Sequence, residues 1–147
     1  MKPVYHGLIS GAFSIVLLVW FNSWHMALTC FLGGIFIDLD HHIDYFLAKK
    51  EIPLSYTKLF NFGAYDKHAK LYLFFHTYEA LIFFWLAIYY FHLNDLWLGL
   101  AVGLTTHMIC DQFANPLRPL GYFLIYRLKH GFERKYILKE DYYAQIN

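Results

Sequence analysis

Charge is what this sequence has least of: only 16% of its 147 residues are Asp, Glu, Lys or Arg, against about 25% in ordinary soluble domains. A disordered chain needs the opposite composition and is excluded. A soluble globular domain would be short of groups to cover its surface. Cysteine is nearly absent as well, with two in the chain, which excludes a disulfide framework; Cys30 and Cys110 fall within apolar stretches and read as core packing. The net charge is +1 with His neutral, so there is no basic field for nucleic acid and no acidic tail. Nucleic acid is not an expected partner. No internal repeat or low-complexity tract divides the chain, and its length suits one domain, 1–147.

Apolar residues are abundant instead, at 59%, and they are grouped. Gly7 to Phe21 carries no charge, and a second uncharged run from Trp24 to Ile37 follows the polar break at Asn22-Ser23. A third runs from Leu71 to Leu93, interrupted by His76, Glu79 and His92, and a fourth from Leu96 to Cys110, interrupted by His107. Only the third reaches the roughly 20 residues of a full membrane span; the shorter ones call for local thinning or flanking aromatic residues. Four such runs leave nothing soluble to bury them. The expected fold is an all-α, multi-pass membrane helical bundle with about four transmembrane helices. Lys2 ahead of the first run imitates a secretory signal, but no small-residue cleavage site follows, so that span is expected to be retained. Residues 49–70 read as a mixed loop. Beyond Asp111, Asn115-Pro116-Leu117-Arg118-Pro119 breaks the helix, and Tyr122 to His130 suits a C-terminal interfacial helix.

Positive charge is retained on the cytoplasmic side of short loops. Every Lys and Arg precedes the first run, lies between the second and third, or follows the fourth, and the turns at Asn22 and at Asn94-Asp95 have none. Both termini are therefore expected to be cytoplasmic. Trp20, Trp24, Tyr89, Tyr90 and Trp97 gather at the two short turns, as an aromatic belt at the opposite interface requires. His25 and His92 read as interfacial side chains there.

Ionisable residues inside apolar spans are costly and mark functional sites. They fall in four places: His6 opens the first run, Asp38-Leu39-Asp40-His41-His42-Ile43-Asp44 closes the second, His76 and Glu79 begin the third, and His107 and Asp111 close the fourth. The topology carries all four to the cytoplasmic side. His107 and Asp111, at i and i+4, share one helix face, and His76 and Glu79, at i and i+3, are expected to do so. Helical bundles build carboxylate-bridged dinuclear centres from such residues. Mixed nitrogen and oxygen donors suit Zn, Mn or Fe, so one or two divalent ions are the expected cofactor. His41 and His42 are adjacent and cannot both face one centre; His41 is favoured. Glu79 or Asp44 would act as general base, or as the carboxylate that fixes a ligand histidine's tautomer. Arg118 and Arg127 could hold a substrate phosphate, with contact to anionic lipid the competing use of these residues and Lys129. His68 and His130 read as solvated loop residues.

The order of His6, Gly33-Gly34-Ile35-Phe36-Ile37-Asp38-Leu39-Asp40-His41, Phe75-His76-Thr77 and His107-Met108-Ile109-Cys110-Asp111 resembles the bacterial inner-membrane metal-dependent hydrolases, the LexA-regulated membrane hydrolase group. The resemblance implies a metal centre formed by His6, Asp38, Asp40, His41, His76, His107 and Asp111, in the bacterial inner membrane. The chain departs from that pattern with Ile37 where a proline usually precedes the first aspartate, and with Lys67-His68-Ala69 in place of His-Arg-Gly ahead of His76. The His-rich helices with H-x-x-x-D are also similar to the zinc-dependent phospholipase C and nuclease group, which implies phosphoester chemistry. The expectation is thus a membrane-embedded metal-dependent hydrolase acting on a phospholipid or other amphiphilic phosphoester at the cytoplasmic surface, with membrane lipid as its partner. The alternative is a metal-ion or proton transporter in which the same His/Asp set is a binding station.

Overall fold

The computed structural model describes residues 3–55, 58–59, 62 and 70–145. His68, the Lys67-His68-Ala69 departure and much of the expected 49–70 loop lie outside them. In chain order the helices are α1 (Pro3–Phe21), α2 (Trp24–Phe36), α3 (Asp40–Lys49), α4 (Tyr78–Phe91), α5 (Asp95–Ala114), α6 (Leu124–Lys129), α7 (Arg134–Ile137) and α8 (Glu140–Gln145), with tight 3-10 turns at Ile37–Leu39 and Pro119–Tyr122. Among the described residues there is no strand, only two isolated bridges, Lys70 with Glu133 and Leu117 with Leu138. The chain divides into two compact units, Met1–Ile37 with Glu79–Asn115, and Asp38–Tyr78 with Pro116–Asn147.

The first unit holds α1, α2, α4 and α5. Two short turns close its hairpins, and each passes through one left-handed residue, Asn22 (φ 49°) and His92 (φ 48°). Asn and His tolerate that conformation better than most side chains. Ser23 caps α2 by accepting the Met26 N–H, and its hydroxyl donates to the carboxylate of Asp95 in the first turn of α5. The two turns are thereby joined at one end of the unit. Between α2 and α5 the backbones come unusually close: a Cβ at Gly99 would lie 2.1 Å from the Met26 carbonyl oxygen, and one at Gly103 2.1 Å from that of Cys30. Only glycine fits at either position. Gly99 and Gly103 are one turn apart and form a small-xxx-small face of the kind that packs helices in lipid, where apolar surface alone gives no drive to associate.

Two helical stretches, Val4–Phe21 and Trp24–Lys49, are long and apolar enough to cross a membrane. The second includes the 3-10 turn between α2 and α3. The outer face of α1 is strongly apolar, with Val4, Leu8, Ile15, Val19, Trp20 and Phe21 exposed. The run expected to be the longest span is the one most altered. Helix α4 begins only at Tyr78, and residues 71–77 are not helical. The reason is local, because the N–H groups of Tyr72, Leu73, Phe75 and His76 are all taken by aspartate side chains and so are withdrawn from any helical ladder.

The second unit contains α3, that segment and the short helices α6 to α8. Tyr122, Ile137 and Leu138 are buried in it, and the Tyr45 and Phe62 rings pack edge to face. The expected interfacial helix is reduced to α6, six residues long, whose Arg127 is fully buried. Phe123 at its N-cap, and Ile125 and Leu128 within it, are exposed.

Candidate metal centre

In the first unit the candidate side chains lie at the end away from the two joined turns. Sixteen residues separate Asp95 from Asp111 along α5, about 24 Å at 1.5 Å per residue. His107 and Asp111 share a face of α5, as the i, i+4 spacing requires, with His107 Nε2 3.3 Å from Asp111 Oδ2. His6, from the start of α1, places Nε2 3.0 Å from the other carboxylate oxygen. The two imidazoles stack, with centroids 3.8 Å apart and planes 13° from parallel. All three residues are buried.

The protons on this triad follow from its partners. His107 Nδ1 lies 2.7 Å from the Gly34 carbonyl oxygen, and a carbonyl only accepts, so Nδ1 carries the hydrogen. In the neutral ring Nε2 is then a lone pair facing a carboxylate. Two acceptors at such a distance are held together by a second proton or by a cation. For a tetrahedral cation with ligand bonds of about 2.0–2.1 Å, neighbouring donor atoms lie about 3.3 Å apart, which matches the pairs around Asp111. Buried His6 Nδ1 has no hydrogen-bond partner among the described residues.

In the second unit Asp40 is buried at the start of α3. Its Oδ2 accepts the N–H groups of Phe75 (2.8 Å) and His76 (3.2 Å) and lies 3.3 Å from His76 Nδ1. A carboxylate on Nδ1 fixes the proton there and turns Nε2 outward as a donor, the usual relation behind a ligand histidine. His76 Nε2 is 3.5 Å from Asp38 Oδ1, and His41 Nε2 is 3.6 Å from the same oxygen. Asp40 Oδ1 is buried without a hydrogen-bond partner among the described residues.

Each unit thus carries a His/Asp cluster with metal-ligand chemistry of its own, His6, His107 and Asp111 in the first and Asp38, Asp40, His41 and His76 in the second. The donor set is nitrogen and oxygen only, which fits Zn, Mn or Fe better than a thiolate-selective metal.

The remaining candidates are used otherwise. His76 and Glu79 do not share a helix face, because His76 precedes α4 and Glu79 lies in its first turn. Asp44 spends both carboxylate oxygens on backbone, accepting Tyr72 N–H and Leu73 N–H at 3.0 Å each. Arg127 is no surface phosphate clamp: its guanidinium donates to the carbonyls of Gly121, Tyr72, Leu73 and His76. Arg118 is partly exposed and donates to the Leu138 carbonyl (2.8 Å) and to Glu140 (3.0 Å). His130 packs between Tyr126 and Tyr136. Elsewhere in this unit Lys135, hydrogen-bonded to Glu133 at 2.7 Å, holds that exposed carboxyl below its ordinary range.

Sequence reasoning assigned no individual role to Gly34, named only within the Gly33 to His41 motif, or to the glycines of α5. Gly34 supplies the carbonyl that sets the His107 tautomer, and a Cβ there would collide with the buried side chain of Ser10. The signal available was the G-x-x-x-G spacing of Gly99 and Gly103 one turn ahead of His107. Compared with known proteins, the chain matches no family model, no curated protein and no solved structure.

Proposed function

We propose that the protein is a membrane-embedded metal-dependent hydrolase acting on a phospholipid or other amphiphilic phosphoester. One observation carries the reading: buried imidazole nitrogens face buried carboxylate oxygens at about the separations of ligands around one cation. Burying such groups costs several kcal/mol each unless they are compensated, and a bound cation is the compensation that suits acceptor facing acceptor. His6, His107 and Asp111 would hold an ion in the first unit, with Gly34 fixing the His107 proton, and Asp38, His41 and His76 offer the same donors in the second, with Asp40 fixing the His76 proton. A divalent ion in such a site supplies Lewis acidity toward a phosphoryl oxygen and lowers the pKa of water. The resemblance to metal-dependent membrane hydrolases supports ester cleavage as the chemistry.

The membrane reading rests on the first unit. Its joined turns carry exposed Trp20, Trp24, Tyr89, Tyr90 and Trp97, a ring of interfacial side chains. The about 24 Å from there to Asp111 approaches the roughly 30 Å depth of a hydrocarbon core. In this reading α1, α2, α4 and α5 are the four spans, and the triad lies near the inner, cytoplasmic interface with both termini on that side. A permeation path is disfavoured, since Ile15 to Phe21 of α1 and Leu81 to Ile88 of α4 have no charged side chain and only the Trp20 and Trp85 indoles as polar groups.

Metal content of detergent-purified protein, measured beside His107→Ala and Asp111→Ala, tests the proposal together with turnover on a panel of lipid phosphoesters. Stoichiometric metal in the wild type, lost in both variants, with phosphoester turnover, is expected. No metal under any loading condition refutes the reading, and uptake into proteoliposomes without turnover would replace it with transport. Reporter fusions at Asn22 and Asn147 are expected on opposite sides of the membrane.

A further inference from the structure

The non-helical segment ahead of α4 is gripped from both sides. From α3, Asp44 takes the N–H groups of Tyr72 and Leu73, and Asp40 takes those of Phe75 and His76. From α6, Arg127 donates Nη1 to the carbonyls of Tyr72 and Leu73, at 2.8 Å each, and Nη2 to that of His76 at 3.0 Å, while its Nε holds Gly121. The segment needs such anchors. Leu71, Leu73, His76 and Thr77 are buried, and buried backbone groups outside a helix or sheet must find partners elsewhere. Leu73 also sits at φ 40°, a conformation that a branched side chain holds only when its surroundings impose it. Arg127 itself is fully buried, an expensive position for a guanidinium unless its donors are matched. Five donors in a rigid fork suit several carbonyls at once, which Lys cannot reproduce.

We infer that Arg127 and Asp44 form a clamp on residues 72–76 that presents His76 to the metal, which makes Arg127 a positioning residue and not a substrate-binding one. The inference rests on the reading of His76 as a ligand. The fork fixes where the His76 carbonyl lies, Asp40 fixes its N–H and ring Nδ1, and together they leave Nε2 one direction to point.

Cobalt(II) titration of the full chain in detergent, followed by its visible ligand-field spectrum, is the test. The variants are Arg127→Gln, Arg127→Lys, Asp44→Asn and His76→Ala, and the double variant of Arg127→Gln with His76→Ala, each checked for helical content by circular dichroism. Outer-sphere partners of ligand histidines are worth about 10- to 100-fold in metal affinity. A loss of that size with an altered spectrum is expected for Arg127→Gln and Asp44→Asn, with partial recovery in Arg127→Lys. In the His76→Ala background Arg127→Gln should cost nothing further, because both act through the same ligand. Should Arg127→Gln not fold, Arg127→Lys and Asp44→Asn carry the comparison. Folded variants that bind cobalt like the wild type, or full additivity with His76→Ala, would overturn the clamp alone. Wild-type protein that takes up no cobalt would overturn the metal reading beneath it.

Discussion

Gly103 ties the packing of the first unit to the protonation of its site, and a single methyl group tests the connection. A Cβ at Gly103 would lie 2.1 Å from the Cys30 carbonyl oxygen and 2.9 Å from Gly34 N, where real contacts essentially never fall below 3.0 Å. Both obstacles are backbone of α2, so no side-chain rotation relieves them. Helices α2 and α5 must separate by about 0.9 Å, the shortfall from 3.0 Å. The His107 Nδ1 to Gly34 O distance, 2.7 Å in the native packing, would stretch toward about 3.6 Å, at which a hydrogen bond is lost. Overpacking of this kind costs about 1–3 kcal/mol, and the upper end applies where backbone is the obstacle. For a chain of this size that is about 6–12 °C in melting temperature. Gly7→Ala is the matched control, since nothing lies within 4 Å of a Cβ there and alanine is favoured over glycine in a helix by about 0.5–1 kcal/mol. Thermal melts of the two variants in one detergent, with metal titration of each, give the comparison. Gly103→Ala should melt below wild type and bind metal more weakly, while Gly7→Ala should do neither. A Gly103→Ala protein melting at or above Gly7→Ala, with native metal affinity, would refute the link between helix approach and the His107 tautomer.

Two further outcomes follow from the site. Adding zinc or manganese to metal-free protein should raise its melting temperature, by about 2.7 kcal/mol of stabilisation at one hundred times the dissociation constant, and chelation should reverse the gain; no shift with either ion would argue against a built site. Asp40→Asn keeps the size of the side chain but removes the charge that fixes His76 Nδ1–H, so metal affinity should fall about 10- to 100-fold while helical content stays, and an unchanged titration would remove Asp40 from the site.

Particular residues show how far the sequence reading reaches. His107 and Asp111 were recognisable as a pair because four residues make one helical turn, and α5 keeps that geometry. His76 and Glu79 failed the same reasoning. Their run was apolar enough for a helix, yet Asp40 and Asp44, some thirty positions earlier, claim its amide hydrogens and delay α4 to Tyr78. Arg127 looked like a surface cation because local sequence places it after an apolar group with Lys129 nearby; three carbonyls more than fifty positions away, with that of Gly121, draw it inside.

What the sequence determined by itself is therefore the local part: apolar runs that become helices, short turns at Asn22 and Asn94, and the residue types able to bind a metal. Those depend on neighbours within a turn or two, through helical periodicity and the cost of burying charge. Only the tertiary structure decided which carboxylates take backbone hydrogens and which face an imidazole, which nitrogen of each histidine carries the proton, and where α2 and α5 touch. These are choices between competing partners far apart in the chain, and the energy that settles them exists only once the partners have been brought together.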